Sequence, residues 1–161
     1  MRVLSLGAGV QSSTVALMIE YGDLPMVDCA IFADTQNEPK YVYEWLKYIE
    51  NRVSYPVHIV TRGNLKEDML SSKYNFLPIP TYTINSKTGK KGFTMRQCTN
   101  DYKIQPIYKK IRELLGLKKY QRVPKGTIVE MVIGISRDEM VRCKESRLPY
   151  IKNDYPLVFD K

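Results

Sequence analysis

The 161-residue chain has 43% hydrophobic residues, enough for one domain with a buried core, and its net charge is +8. No apolar run approaches the roughly 20 residues that span a bilayer, and the N-terminus lacks a signal-peptide profile. These features argue against membrane and secreted proteins, and we expect one cytoplasmic domain over residues 1–161. The three cysteines, Cys29, Cys98 and Cys143, are odd in number and far apart, so neither a disulfide framework nor a zinc or iron–sulfur site is indicated.

The first part of the chain alternates apolar runs with helical patterns. Three runs predict buried strands of a mostly parallel sheet: residues 3–6, 27–33 and 57–61. A helix that begins at Ser12 or Ser13 and is stopped by Gly22 separates the first two strands. This order predicts the β-α-β arrangement of a nucleotide-binding α/β fold. The third strand contains His58, for which we expect a structural or solvent-facing role because no carboxylate or cysteine is near it.

A second helix follows the second strand, with Pro39 near its first turn. Four of its residues fall on one stripe: Tyr41, Trp45, Tyr48 and Ile49. We expect this stripe to pack in the core rather than to stack on a base.

In the second half of the chain, polar loops follow the predicted apolar elements. Its predicted elements are a short helix at 65–72, a hairpin at 81–84 and 92–95, an amphipathic helix at 104–115 and a strand at 127–135. In the amphipathic helix we expect four inward residues, Ile107, Ile111, Leu114 and Leu115. Ligands gather at the carboxyl ends of strands in open α/β sheets, so the polar residues 136–142 are predicted to face the loops after the first and second strands.

The positive charge is concentrated in residues 87–91 and 103–125. A polyanionic partner would match such segments, whether nucleotide phosphates or nucleic acid. A solvated basic surface is the alternative.

The loop after the first strand has the residue types of an anion site. Residues 7–13 provide glycines, backbone N–H groups and two serine hydroxyls at a helix N-terminus, where the helix dipole favours phosphate or sulfate. The loop has no Gly-Lys-Ser or Gly-Lys-Thr and lacks the third glycine of the dinucleotide fingerprint. Four basic residues are candidates to hold the anion: Arg96, Lys103, Arg137 and Arg142. For residues 137–142, a salt-bridged helix start is the alternative.

Five segments, in order along the chain, resemble the phosphoadenylylsulfate (PAPS) reductase branch of the adenine-nucleotide alpha-hydrolase-like, or PP-loop, superfamily. They are residues 5–13, residues 32–35 with Glu38, residues 98–107, residues 134–139 with Arg142, and residues 153–157. The resemblance implies a three-layer, Rossmann-like α/β fold of the HUP type, with a mostly parallel sheet and helices on both faces. It also implies that an adenine nucleotide, ATP or PAPS, is held along the strand ends.

The resemblance further implies roles for particular residues. The expected nucleotide- or phosphate-binding residues are Ser5, Gly7, Gly9, Gln11, Ser12, Ser13, Asp34, Thr35, Arg96, Lys103, Gly134, Arg137 and Arg142. Lys103 and Arg137 are the candidate catalytic residues, and Asp34 is the candidate protein ligand of a magnesium ion that would accompany ATP cleavage. Relatives either cleave ATP between the α and β phosphates to adenylate a substrate or reduce a sulfonucleotide with a thiol, so a thiol donor protein is an expected partner.

Two departures from the family pattern bear on the activity. Gln11 stands where ATP pyrophosphatases usually carry Asp, and glutamine is met in the sulfonucleotide-reductase branch. The sequence ends at Lys161, so we expect the family's C-terminal cysteine-containing segment to be missing, and Cys98 matches a different motif. The expected function is therefore action on ATP or a sulfonucleotide. The alternatives are a non-catalytic nucleotide- or nucleic-acid-binding module and a sulfur-transfer or nucleic-acid-modifying enzyme.

Overall fold

The centre of the protein is a sheet of five parallel strands, seen in a computed structural model that describes residues 1–71, 82–93 and 98–159. The strands of the chain are β1 (Arg2–Leu6), β2 (Cys29–Asp34), β3 (Val57–Thr61), β4 (Tyr82–Ile84), β5 (Lys91–Phe93), β6 (Val129–Ile133) and β7 (Ile151–Asp154). The central sheet has the order β3-β2-β1-β6-β7, and every neighbouring pair is parallel. The carboxyl ends of these five strands therefore share one edge.

Helices connect the strands of the central sheet. They are α1 (Val10–Tyr21), α2 (Lys40–Arg52), α3 (Leu65–Leu70), α4 (Gln105–Leu114) and α5 (Pro156–Phe159). A turn of π-helix, Asn100–Ile104, leads into α4, and a 3₁₀ helix, Arg137–Arg142, follows β6. As predicted, α1 ends at Gly22, whose left-handed backbone (φ 85°) lets its N–H reach the last carbonyls of the helix.

The two faces of the sheet are covered by different helices. Side chains alternate along a strand, so Leu4 and Leu6 of β1 pack with α1 and α2 on one face. Val3 lies on the other face, with Ile107 and Ile111 of α4. The chain is thus an α/β protein with helices on both sides of a parallel sheet.

The predicted strands and helices are present within the described residues, with one strand missed. The first helix begins at Val10 rather than at Ser12 or Ser13, and residue 72 of the helix predicted at 65–72 lies outside the described residues. The apolar runs at 3–6, 27–33, 57–61 and 127–135 contain β1, β2, β3 and β6. The predicted hairpin forms as the antiparallel pair β4 and β5, while its residues 81, 94 and 95 lie outside the described residues. The strand β7 was not predicted, because its sequence Ile-Lys-Asn-Asp carries little apolar character.

The prediction that the stripe of α2 packs in the core is wrong for its three aromatic residues and correct for Ile49. Tyr41, Trp45 and Tyr48 are 69%, 39% and 51% exposed, and the buried residues of the helix are Leu46 and Ile49. The aliphatic residues face the sheet because their side chains bury no polar atom, whereas each aromatic ring carries a hydroxyl or N–H that needs a partner. In α4, Leu114 was also expected inside and is 38% exposed.

Cys29 is a core residue, as predicted. Its side chain is buried in β2, and burial is the main reason that the pKa of its thiol is raised to about 11. A thiol with such a pKa is not a nucleophile at neutral pH. Among the helices of the described segments, none has both the length and the apolar character needed to cross a membrane.

Candidate functional site

The strand order reverses at β1. From β1 the chain steps outward through β2 and β3, and it later returns to place β6 and β7 on the opposite side of β1. The loops after β1 and β6 consequently leave adjacent strand ends at this reversal, which is where open α/β sheets hold their ligands. The candidate site lies at this point.

The two loops are in direct contact through a glycine. A Cβ atom placed on Gly134, just after β6, would lie 2.6 Å from the backbone N of Ser12 and 2.8 Å from the carbonyl carbon of Gln11. Real Cβ atoms do not approach backbone this closely, so only glycine permits the contact. Gly134 thus lets the first turn of α1 sit against the end of β6.

The loop after β1 presents backbone N–H groups with no protein partner. Ser12 Oγ accepts a hydrogen bond from the N–H of Gly7 (3.1 Å) and donates to the carbonyl of Gly9 (3.2 Å), which closes the loop on itself. In the described part of the chain, the N–H groups of residues 8–11 have no acceptor. Ala8 has a left-handed backbone (φ 52°), a conformation found where a loop is held in a set shape.

The space in front of this loop is open at Gly9. Its backbone is extended (φ −88°, ψ 171°), and a Cβ atom there would meet nothing within 4 Å. A small anion can therefore approach the loop at Gly9, at the positive end of the α1 dipole.

Gln11 joins the first loop to the segment after β6. Its Nε2 donates to Ser136 Oγ (2.5 Å) and to Glu139 Oε2 (2.9 Å). Glu139 also pairs with Arg142, Nη1 to Oε1 at 2.6 Å. The hydrogen bond from Gln11, followed by that from Arg142, lowers the pKa of Glu139. Likewise, the hydroxyl of Ser136 donates to Asp138 and lowers the pKa of that carboxyl.

The two arginines of this segment differ in their partners. Arg142 is held by Glu139. Arg137 is exposed at the start of the 3₁₀ helix, and no hydrogen bond or ion pair to another described residue engages its guanidinium. Arg137 is therefore the arginine of the segment that is available to an incoming anion.

A second polar cluster lies at the end of β2. Lys103, in the π-helical turn before α4, donates to Glu38 Oε1 (3.1 Å). The same oxygen accepts a hydrogen bond from Thr35 Oγ1 (3.1 Å). The charge of Lys103 is thus balanced by Glu38 in this structure, and the pair brings the π-helical turn to the carboxyl end of β2.

One carboxylate oxygen of Asp34 accepts hydrogen bonds from neighbouring residues. Its Oδ1 accepts from the N–H of Gln36 (2.7 Å) and from the hydroxyl of Tyr43 (2.8 Å). Burial and the hydrogen bond to Asp34 raise the pKa of Tyr43, so its proton stays on the phenol. No described residue forms a hydrogen bond with Asp34 Oδ2, so this oxygen remains able to contact a ligand.

The structure brings most of the expected site residues to one edge, in two clusters. One cluster lies in the loop after β1, the first turn of α1 and the segment after β6, and the other lies at the end of β2. The first contains Gly7, Gly9, Gln11, Ser12, Gly134, Arg137 and Arg142, and the second contains Asp34, Thr35 and Lys103. Ser13 instead accepts a hydrogen bond from Trp45 Nε1 (2.7 Å), and Ser5 lies within β1 opposite Ile31 and Ile133. Arg96 lies outside the described residues.

Sequence reasoning missed contacts of two glutamates at the site. Glu38 stands in a recognised segment but was given no partner, and the contact of Glu139 with Gln11 was not expected, whereas its ion pair with Arg142 agrees with the salt-bridged helix start that was the alternative for residues 137–142. A signal was present, since each glutamate is three residues from a polar partner, Thr35 or Arg142. Ser136 and Trp45 carried no such signal.

Comparison with known proteins found no family model and no curated protein that matches the chain. Within residues 1–71, 82–93 and 98–159, no group of three or more His, Cys, Asp or Glu side chains is placed to hold a metal ion.

Proposed function

We propose that the protein binds an adenine nucleotide, ATP or PAPS, at the carboxyl edge of its sheet, and that it is a PAPS reductase-like member of the PP-loop superfamily with a three-layer, Rossmann-like fold of the HUP type. One observation carries the proposal. At the reversal of strand order, the N–H groups of residues 8–11 have no acceptor among the described residues, and the space beside Gly9 is open. An anion bound there would complete the hydrogen bonds that the loop leaves unmade.

The charged residues around the loop support the same ligand. Arg137 has a guanidinium that no described residue engages, and arginine binds phosphate or sulfate oxygens bidentately. Lys103 is paired with Glu38 through a partly exposed contact that a nucleotide phosphate can replace. In the proposed reaction these two residues neutralise the negative charge that develops on phosphate or sulfate oxygens.

A magnesium ion fits the site as a companion of ATP. Asp34 offers one carboxylate oxygen that is not used in the fold, while its other oxygen is fixed by Tyr43 and Gln36. Magnesium is typically held by one or two carboxylates together with substrate phosphates, and it would supply charge neutralisation there. For PAPS reduction, a thiol donor protein is the proposed source of electrons, and the buried Cys29, whose pKa is raised, is not the nucleophile.

Calorimetric titration with ATP, with and without magnesium, and with PAPS tests the proposal. In the variant Gly9→Val, the new side chain enters the open space beside the N–H groups without touching the fold, so nucleotide binding should be lost while the circular dichroism spectrum is unchanged. Thr14→Val, at an exposed position on α1, is the matched control and should bind like wild type. Unchanged affinity in Gly9→Val would reject the loop as the anion site.

Arg137→Ala tests the basic side chain. We expect affinity for the nucleotide to fall by about 1.5–3 kcal/mol, the usual value of a charge-assisted hydrogen bond. Arg147→Ala, at another exposed arginine, should leave the affinity unchanged. Equal effects in the two variants would indicate general attraction by the positive net charge rather than a contact at the site.

Product analysis after titration separates an enzyme from a binding module. Release of pyrophosphate from ATP, or of sulfite from PAPS when a thiol is supplied, would assign the enzyme. Binding without turnover would favour the non-catalytic module. Failure to bind any nucleotide would refute the proposal.

A further inference from the structure

The segment 109–125 carries most of the net charge of the protein. Seven of the 25 basic residues and one of the 17 acidic residues fall within it, against a net charge of +8 for the whole chain. The single acid, Glu113, faces Lys110 on α4, with Nζ and Oε2 3.9 Å apart. The segment covers the second part of α4 and the loop that leads to β6, and its loop is far from the strand ends that form the proposed nucleotide site.

An open cleft of about 470 Å³ lies beside this loop. Arg112, Tyr120, Arg122 and Tyr150 are among its lining residues, and none of the described residues that line it is acidic. Tyr150 directly precedes β7, and its carbonyl accepts from the N–H of Val129 at the start of β6 (2.8 Å). The cleft therefore lies at the amino edge of the sheet, opposite the candidate nucleotide site.

The loop holds an aromatic ring in solvent. Tyr120 is 87% exposed and has a left-handed backbone (φ 64°), which L side chains rarely adopt. The ammonium group of Lys119 lies 5.1 Å from the centre of its ring. The turn around it is fixed, because Arg112 Nη2 donates to the carbonyl of Gln121 (2.5 Å) and Gln121 Oε1 accepts from the N–H of Lys118 (2.9 Å).

We propose that this cleft binds a single-stranded nucleic acid. Arg112, Arg122 and Lys119 would contact backbone phosphates, and a base would stack on Tyr120. Grooves for single strands combine these features, basic side chains along the phosphates and aromatic faces for the bases. An acidic protein would use the charge but not an exposed ring in a preformed turn. The proposal does not depend on nucleotide binding at the other edge of the sheet.

Fluorescence anisotropy with a labelled oligouridine or oligothymidine tests the aromatic contact. Tyr120→Asn removes the ring and keeps a residue that tolerates the left-handed backbone, so the fold is retained. We expect its affinity to fall roughly tenfold, the effect of losing one stacked base. Tyr120→Phe keeps the ring and should bind like wild type. Equal affinities for all three proteins would overturn the proposal.

The salt dependence of the same affinity tests the phosphate contacts. Arg122→Gln should lower the slope of log affinity against log salt by about 0.7, the value for one phosphate contact on a single strand. The matched control, Lys47→Gln on the exposed side of α2, should not change the slope. Equal losses in the two variants, or equally strong competition by polyglutamate of the same charge, would overturn the proposal. A duplex bound more tightly than the single strand would also overturn it.

Two variants separate this site from the nucleotide site. Gly9→Val should bind the oligonucleotide like wild type, whereas Tyr120→Asn should bind ATP or PAPS like wild type. Loss of both ligands in the same variant would contradict two separate sites.

Discussion

Gly134 is the position where a single methyl group should disturb both the fold and the candidate site. In Gly134→Ala the added Cβ would lie 2.6 Å from the backbone N of Ser12 and 2.7 Å from its Cα. Ordinary contacts begin at 3.4 Å, so α1 and β6 must separate by up to about 0.8 Å. The atoms in the way belong to the backbone, and no side-chain rotation relieves the overlap.

The cost can be estimated from two opposing effects. Overpacking a rigid site destabilises by about 1–3 kcal/mol, and the upper part of this range applies where backbone must move. Replacing glycine by alanine also restricts the unfolded chain, which offsets about 0.4–1 kcal/mol. We therefore expect a net loss of about 2 kcal/mol, or a fall in Tm of roughly 4–8 °C for a chain of this size.

Urea unfolding followed by circular dichroism measures this loss, and Gly9→Ala is the matched control. Gly9 has an extended backbone and open space at its Cβ position, so the same substitution there should leave the stability unchanged or raise it by up to about 1 kcal/mol. If Gly134→Ala proved as stable as Gly9→Ala, the close packing of α1 on β6 would not be a constraint, and the reasoning would be refuted.

Two further changes should alter stability at a distance from the site. Tyr55→Phe removes a buried hydroxyl that donates a hydrogen bond to the carbonyl of Ala16 (2.9 Å), so the free energy of unfolding measured in urea should fall by about 1–2 kcal/mol. The control Tyr48→Phe, at an exposed position, should have no effect. Equal stabilities of the two variants would contradict the expected contribution of the buried hydrogen bond. Burial and the ammonium group of Lys110 lower the pKa of His58, so the unfolded chain binds a proton more readily than the folded chain. The free energy of unfolding should therefore decrease as the pH falls through about 6.5, and His58→Gln should weaken this decrease; an identical pH profile would contradict the prediction.

The elements of this fold were predictable where most of their residues are apolar. β1, β2 and β6 each have only one or two polar residues, because both faces of the central strands are covered by helices. β7 lies at the sheet edge and has polar residues at three of its four positions, so its sequence resembles a loop. In α2, two stripes of apolar residues lie side by side, and the sequence pattern did not distinguish the aromatic stripe from the aliphatic one that is buried.

The position of the candidate site could be predicted from the sequence, but most of its contacts could not. The carboxyl edge follows from the order of strands and helices, which the sequence pattern indicates. The bonds from Gln11 to Ser136 and Glu139 span more than a hundred residues and depend on how β6 is placed beside β1. The requirement for glycine at position 134 also could not be predicted, because it depends on the close contact with Ser12 in the folded protein.

The central position of β1 sets the order in which a newly made chain can fold. Its neighbours on one side, β2 and β3, have been synthesised by residue 61, whereas β6 begins only at Val129. A ribosome-bound chain that has not reached Val129 leaves one edge of β1 with unpaired N–H and C=O groups, an edge that can pair with other chains. The candidate site between the loops after β1 and β6 forms only after β6 has been made, and until then the open edge of β1 can aggregate with other chains.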